Sequence, residues 1–342
     1  MVKALKGPIF IVGSHRAGST LWHNIISMCP GMMRLTDPRF LSERRHKSFN
    51  YFLKTEIGDL SLDGNIEKMV DLCLGEKRPA SLDSTFWRFE NIDAVRHPDL
   101  KIEVTRRIKR SDRSLGAIAR ILLEEITHFS GYERACVKFP VDVGHVPELM
   151  TWFPNCKVMH IIRDPRALAL SKSNDPSGTA KRILEHPHLG WLIRRFMVWF
   201  VIADYRRNAR AHERYRGLTN YRLFRYEDLL AEPENTLKDV CDFIEVEFTP
   251  DLLHPEKGRH QHQPSSLTGK QQKAFDRDAA TRWQTAISPI DNFIITWLTK
   301  GSMSRLGYDP KSHPIFRKSI VSADSSGQDS IAGSAVPGAP TT

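Results

Sequence analysis

The stretch "GPIFIVGSHRAGSTLW", residues 7–22, decides how this chain is read. An apolar run from Ile9 to Val12 ends at Gly13, and the loop Ser14-His15-Arg16-Ala17-Gly18 leads into Ser19 and Thr20. A short apolar run bounded by glycine reads as a buried strand, and a second glycine followed by hydroxyl residues reads as a helix start. Strand, glycine loop and helix N-terminus in that order give the frame of a phosphate-binding loop, G-x-x-x-x-G-K-[ST], in which backbone N–H groups and the helix dipole face the anion. Here Ser19 stands where the lysine belongs. That lysine neutralises the outer phosphates of a triphosphate and the adjacent hydroxyl holds Mg²⁺, so its absence argues against an ATPase or GTPase. An N-cap role accounts for Ser19 or Thr20 singly. It does not account for two glycines, Arg16 and two hydroxyls placed together behind a strand.

Further β-rich runs lie at Ala135 to Phe139, Val158 to Arg163 and Tyr221 to Arg225, each followed by a turn and a helix-compatible segment. That alternation predicts an α/β fold, a P-loop-like three-layer α/β/α arrangement around a central parallel sheet. The first helix begins at Ser19, turns Leu21, Ile25, Ile26 and Met28 to the core, and stops at "CPG". Amphipathic helices are predicted from Trp191 to His212 and from Pro233 to Ile244. Between Thr36 and Arg113 basic and aromatic residues mix without a clear period, which predicts a mainly helical cap over about residues 37–113. Residues 1–317 are read as one domain, and the small, polar stretch 318–342 as a disordered tail.

With 342 residues and 40% hydrophobic content the chain can bury a sizeable core. A formal charge of +10 favours anions, without choosing among nucleic acid, acidic lipid, acidic glycan and nucleotide phosphate. Five cysteines, at 29, 73, 136, 156 and 241, form no C-x-x-C pair, which fits a reducing, cytoplasmic location. The N-terminal residues lack the long apolar region of a signal peptide. The longest apolar run, Phe196 to Ala203, is far short of the roughly 20 residues a bilayer crossing needs and is hemmed by Arg194, Arg195, Arg206 and Arg207. It reads as a buried helix face, with peripheral membrane contact of the Trp191 to His212 helix as the alternative.

A second motif lies in "KVMHIIRDPRALALSKSN", residues 157–174. Arg163 closes a strand, Asp164-Pro165 turns the chain into a helix, and Ser171 lies eight residues beyond Arg163. An arginine at a strand end and a serine on the next helix can converge on one phosphate. The bland alternative is an Arg163–Asp164 pair that merely caps the turn.

With these residues the chain resembles the PAPS-dependent sulfotransferases, in their broader bacterial and Golgi-type branch. PAPS is 3′-phosphoadenosine-5′-phosphosulfate, the sulfuryl donor. Four segments carry the likeness: "GSHRAGSTL", similar to the 5′-phosphosulfate loop; "HIIRDPRALALS", similar to the 3′-phosphate motif; "FRYEDLLAEP"; and "GKQQKAFDRDAATRWQTAIS", similar to a late basic loop that closes over the nucleotide. His15 stands where proline is frequent and Ala17 where serine is frequent. "VKFP" matches a K-T-P element except that Phe139 replaces the threonine, and no role is carried over to Lys138.

The resemblance implies that Ser14, His15, Arg16, Ala17, Gly18, Ser19 and Thr20 hold the phosphosulfate, with Arg16 taking the leaving-group charge. It implies that Arg163 and Ser171 hold the 3′-phosphate, and that Tyr226, Lys270, Arg282 and Trp283 contact the nucleotide. A carboxylate soon after the first helix serves as base in this branch, which points to Asp37, with Glu43 in reserve. Asp37 reads equally well as a turn residue before Pro38, and His145 and His160 are weaker candidates. The scheme needs no metal. The cap then lies on the acceptor side, where a small molecule, lipid or glycan would bind. Two other classes are weighed: a P-loop kinase or NTPase, and a basic nucleic-acid-binding protein suggested by "RRIKR", residues 106–110.

Overall fold

The computed structural model describes residues 5–36, 49–74, 97–139, 143–175, 178–257 and 275–311. Its centre is a five-stranded, all-parallel sheet in the order β2-β3-β1-β4-β5. The chain runs β1 (Ile9–Gly13), α1 (Ser19–Ile26) and β2 (Met32–Thr36), then the short helical turns Phe49–Phe52 and Leu53–Ile57. Three helices follow, α2 (Asp63–Leu74), α3 (Pro98–Arg110) and α4 (Leu115–Phe129), leading to β3 (Arg134–Phe139), α5 (Val146–Trp152) and β4 (Lys157–Ile162). Beyond β4 come α6 (Pro165–Ser173), α7 (Thr179–Glu185) and the long α8 (Gly190–Tyr215). β5 (Tyr221–Arg225), α9 (Tyr226–Ala231), α10 (Pro233–Ile244) and α11 (Pro289–Arg305) complete the order, with short turns at Asp278–Thr281 and Trp283–Ala286.

All five residues of β1 are buried. A parallel strand covered by helices on both sides has no solvent face, so a continuous Ile-Phe-Ile-Val run fits it. Alternate residues divide between two cores. Phe10 and Val12 pack with Val137, Ile66, Val104 and Ile118 on one face. Ile9 and Ile11 pack with Trp22, Ile161, Leu168 and Val201 on the other. Within the span 37–113, α2 and α3 bury side chains in the first of these cores together with α4 and the sheet.

Four strands are predicted from sequence, and the structure adds a fifth, β2, at one edge, paired to β3 from Met32↔Arg134 to Thr36↔Lys138. From β1 the chain moves outward to β2, returns to β3 and crosses β1 to reach β4 and β5. The direction of winding therefore changes beside β1. In open parallel sheets ligands bind at the carboxyl ends of the strands at such a point. The glycine loop after β1 occupies it.

Candidate active site

Three backbone conformations shape the loop between β1 and α1. Gly13, Arg16 and Gly18 all have positive φ, at 134°, 72° and 93°. Gly18 is the N-cap of α1 and has no side chain to cap it, so Ser19 and Thr20 fall inside the helix rather than at its cap. The first amides of α1 therefore lack a side-chain cap, which leaves a concave set of donors suited to an anion. Ala17 N donates to Ser14 O at 3.1 Å and closes the turn, while Ser14, Ala17 and Ser19 are buried and His15 is exposed. A Cβ built on Gly18 would stand 2.2 Å from the Tyr226 ring. Only glycine lets α9 seat its first residue against the loop.

Arg163 follows β4 and reaches back to the same place. Its Nη1 donates to Arg16 O at 3.3 Å, its Nη2 donates to Ala279 O at 2.6 Å, and the guanidinium lies 4.5 Å above the Tyr226 ring. Asp164 does not pair with Arg163. It caps α6 by accepting from Arg166 N at 2.8 Å and holds the Arg166 guanidinium through Nε at 2.9 Å and Nη2 at 2.7 Å. The turn is thus capped by Asp164 with Arg166, which leaves Arg163 turned toward the loop. No carboxylate of the described residues forms an ion pair with Arg163, and its buried Nε has no hydrogen-bond partner. A buried cation normally acquires an anion, so this orphaned donor fits a bound phosphate. Arg16 extends across the gap, with Nε donating to Ser171 Oγ at 3.3 Å. Arg16, Arg163, Ser171, Gly18 and Tyr226 are therefore brought together from four separate segments.

Glu227, beside Tyr226, braces the cluster from behind. Its Oε1 accepts from Asp164 N at 3.0 Å and its Oε2 accepts from the Tyr308 hydroxyl at 2.7 Å. Burial raises its carboxyl above the ordinary range, against the charge of Arg163 and these two donors, which pull it down.

One residue without a predicted role enters the site. Lys138 Nζ donates to Thr20 Oγ1 at 3.3 Å in the first turn of α1. It arrives there because β3 lies next to β1 in parallel register, with Ile11 opposite Lys138. The ammonium group missing from the loop at position 19 is thus present from the adjacent strand. The signal in the sequence is a lysine one residue from the end of an otherwise buried strand, "ACVKF".

His160 lies in the interior of β4 and is fully buried. Its Nε2 donates to Asn208 Oδ1 at 2.9 Å, and the same amide donates through Nδ2 to Ser14 Oγ at 3.1 Å. The Tyr221 hydroxyl donates to Nδ1 at 2.6 Å. With both ring nitrogens satisfied in the neutral form, burial pushes the imidazole pKa down from 6.5 to about 4, with His212 adding to the shift and Asn208 and Asp204 opposing it. Between those values the unfolded chain binds a proton that the folded chain refuses, so stability falls as pH drops. The loss is about 3 kcal/mol when complete. Urea midpoints near pH 7 and near pH 4.5 are expected to differ markedly less in His160→Gln than in the wild type. Equal pH dependence in the two proteins would show that His160 takes up its proton without cost.

Other predicted residues are placed elsewhere or lie outside the described residues. Arg282 pairs with Asp276 at 2.5 Å, and Trp283 is buried beneath Arg166, whose guanidinium stands 3.9 Å from the ring. Their segment touches the cluster through Ala279 O. Asp37, Glu43 and Lys270 lie outside the described residues.

A family model described as "Sulfotransferase family" matches residues 8–250, a span that takes in all five strands, the loop and α6. Among solved structures, the sulfotransferase domain from the curacin biosynthetic pathway superposes with a TM-score of 0.56 at 19% identity, covering 90% of this chain and 99% of that one. The sulfotransferase domain of the Synechococcus PCC 7002 olefin synthase gives 0.51 at 19% identity, covering 87% and 95%. No curated protein matches significantly. The kinase or NTPase reading and the nucleic-acid reading find no support in these comparisons.

Proposed function

The chain belongs to the sulfotransferase family, and on that premise we propose that it moves a sulfuryl group from PAPS to a hydroxyl or amine acceptor, releasing 3′,5′-diphosphoadenosine. The observation that carries the choice of donor is Arg163: buried, unpaired by any carboxylate among the described residues, with an orphaned Nε, and joined through Arg16 to Ser171 and the uncapped start of α1. A donor with separate 5′ and 3′ phosphates supplies an anion for each side of that cluster.

In this scheme the acceptor oxygen attacks sulfur in line as the bond from sulfur to the bridging phosphate oxygen breaks, and the electron pair stays on that oxygen. Catalysis then consists of positioning and of stabilising the charge that builds there. Arg16 suits that task because its charge is permanent and its fork reaches two oxygens at once. Lys138 and Thr20, already hydrogen-bonded to one another, stand at the same helix start and would face the phosphosulfate. Arg163 and Ser171 would hold the 3′-phosphate, with Tyr226 beneath the guanidinium. Asp37 would accept the acceptor's proton, with Glu43 in reserve. Lys270, Arg282 and Trp283 would approach the nucleotide from the C-terminal side. The acceptor in this scheme is a small molecule, a lipid or a glycan.

The experiment is transfer of labelled sulfate from PAPS to a panel of acceptors, run beside equilibrium binding of 3′,5′-diphosphoadenosine. Arg163→Ala is expected to weaken that binding by about 10- to 100-fold, the worth of a charged hydrogen-bond set. If the wild type fails to bind the diphosphate, or Arg163→Ala binds it equally well, PAPS is not the donor.

A further inference from the structure

Among the described residues, exposed large hydrophobic side chains concentrate on α8 and α11. On α8, Leu192, Phe196, Trp199 and Ala203 recur along one face, opposite the buried Val198, Val201, Ile202 and Tyr205. On α11, Ile290, Phe293 and Trp297 recur along one face, opposite the buried Ile295, Thr299, Ser302 and Met303. Phe196, Trp199, Phe293 and Trp297 are 67, 56, 67 and 69% exposed. Four large aromatic rings, each more than half exposed on two neighbouring helices, are more than scattered surface residues produce, and such a concentration marks a docking face.

The two helices lie side by side and point the same way. Arg195 near the start of α8 pairs with Asp291 near the start of α11 at 2.5 Å, while farther along Arg206 and Arg210 share a cavity with Leu298, Gly301, Ser302 and Arg305. Their aromatic halves therefore coincide, and so do their basic halves. The α8 stripe continues from Ala203 into Arg206 and Arg210, and the α11 stripe continues from Trp297 into Lys300, all exposed. Over its length α8 carries six arginines against two acidic residues. Along the exposed stripes rings come first and cations follow, while in the aromatic half Arg194 lies off the stripe and Arg195 is paired with Asp291. This order matches the depth profile of a bilayer interface, where tryptophan and phenylalanine enter the headgroup boundary and arginines meet lipid phosphates.

We propose that this face docks on an anionic membrane surface, with the aromatic halves of α8 and α11 in the interface and Arg206, Arg210 and Lys300 on the headgroups. A second copy paired about a two-fold axis along the helices fits the face poorly, because that contact would set these arginine rows against each other. Among the described residues no helix is long and apolar enough to cross a membrane, so the attachment is peripheral.

The full chain is mixed with vesicles of phosphatidylcholine containing about one third phosphatidylserine, and with pure phosphatidylcholine vesicles, at low salt. Flotation with the anionic vesicles is expected, together with quenching of tryptophan emission by bromine-labelled acyl chains. Trp199→Gln/Trp297→Gln and, separately, Arg206→Glu/Arg210→Glu are expected to reduce partitioning by about tenfold or more, each melting like the wild type. Soluble glycerophosphoserine should not compete. Absence of flotation, unchanged partitioning of both variants, competition by the soluble headgroup, or a wild-type dimer that the tryptophan variant dissolves would each overturn the proposal.

Discussion

Arg16→Gly is expected to lower kcat for sulfuryl transfer by about 10²- to 10³-fold, or about 2.7–4 kcal/mol of transition-state stabilisation, while the protein melts no earlier than the wild type. Arg16 sits at φ 72°, a left-handed conformation that costs an L-residue roughly 1–2 kcal/mol and glycine almost nothing. Removing its side chain with glycine therefore relaxes the loop. Its carbonyl, which accepts from Arg163, is untouched. Arg16→Ala keeps the backbone penalty and loses the same charge, so the two variants should share a low kcat and differ in stability. If they lose thermal stability together and keep turnover, Arg16 is a structural clasp on Ser171 and the leaving-group charge is met elsewhere.

That outcome has a ready candidate in Lys138. A triphosphate loop carries its lysine within the loop itself, whereas here an ammonium reaches the helix start from β3. A lysine held by a strand is fixed by sheet register, and Arg16 is left to cross the gap toward Ser171. The two cations thus stand on different elements, the loop and β3, around the start of α1, where the proposed function would place the phosphosulfate. Their effects on turnover should be coupled rather than additive, because each partly compensates for the other's loss.

What could be read in the sequence was local. β1 occupies the predicted residues because its apolar run ends at Gly13, and the Pro233–Ile244 helix because a proline opens it; β5 also occupies the predicted Tyr221–Arg225, where aromatic residues alternate with basic ones. β2 is not legible because "MMRLT" has no clear alternation and a single β-branched residue, Thr36, at its end; it is a strand because β3 lies beside it. The site divides the same way. Gly13, Gly18 and Arg163 stood out by type and spacing within one segment. Lys138 did not, because its approach to Thr20 depends on pairing between strands more than a hundred residues apart. The partner of Asp164 is likewise fixed by the fold: Arg166, two residues on, occupies the carboxylate.

Gly13→Ala is expected to destabilise the protein by about 3 kcal/mol or more, the combined cost of a forced left-hand-side φ and an overpacked core position. Gly13 is the last residue of the central strand, at φ 134°, paired opposite Ile161 of β4. A Cβ there would stand 2.1 Å from Ile161 O and 3.1 Å from its carbonyl carbon. Both are backbone atoms in a buried strand, so no rotamer change relieves the contact and β1 must part from β4. For a domain of this size the melting temperature should fall on the order of 10 °C. Gly18→Ala provides the contrast: it also carries a positive φ, but its Cβ would meet the buried Tyr226 ring rather than strand backbone, so β1 and β4 stay paired and the loss should include weaker nucleotide binding as well as lower stability. Gly144→Ala is the neutral control, since nothing lies within 4 Å of its Cβ. A Gly13→Ala protein that melts like Gly144→Ala would mean that β1 and β4 are not held at the register on which the convergence of Arg163 and the loop depends.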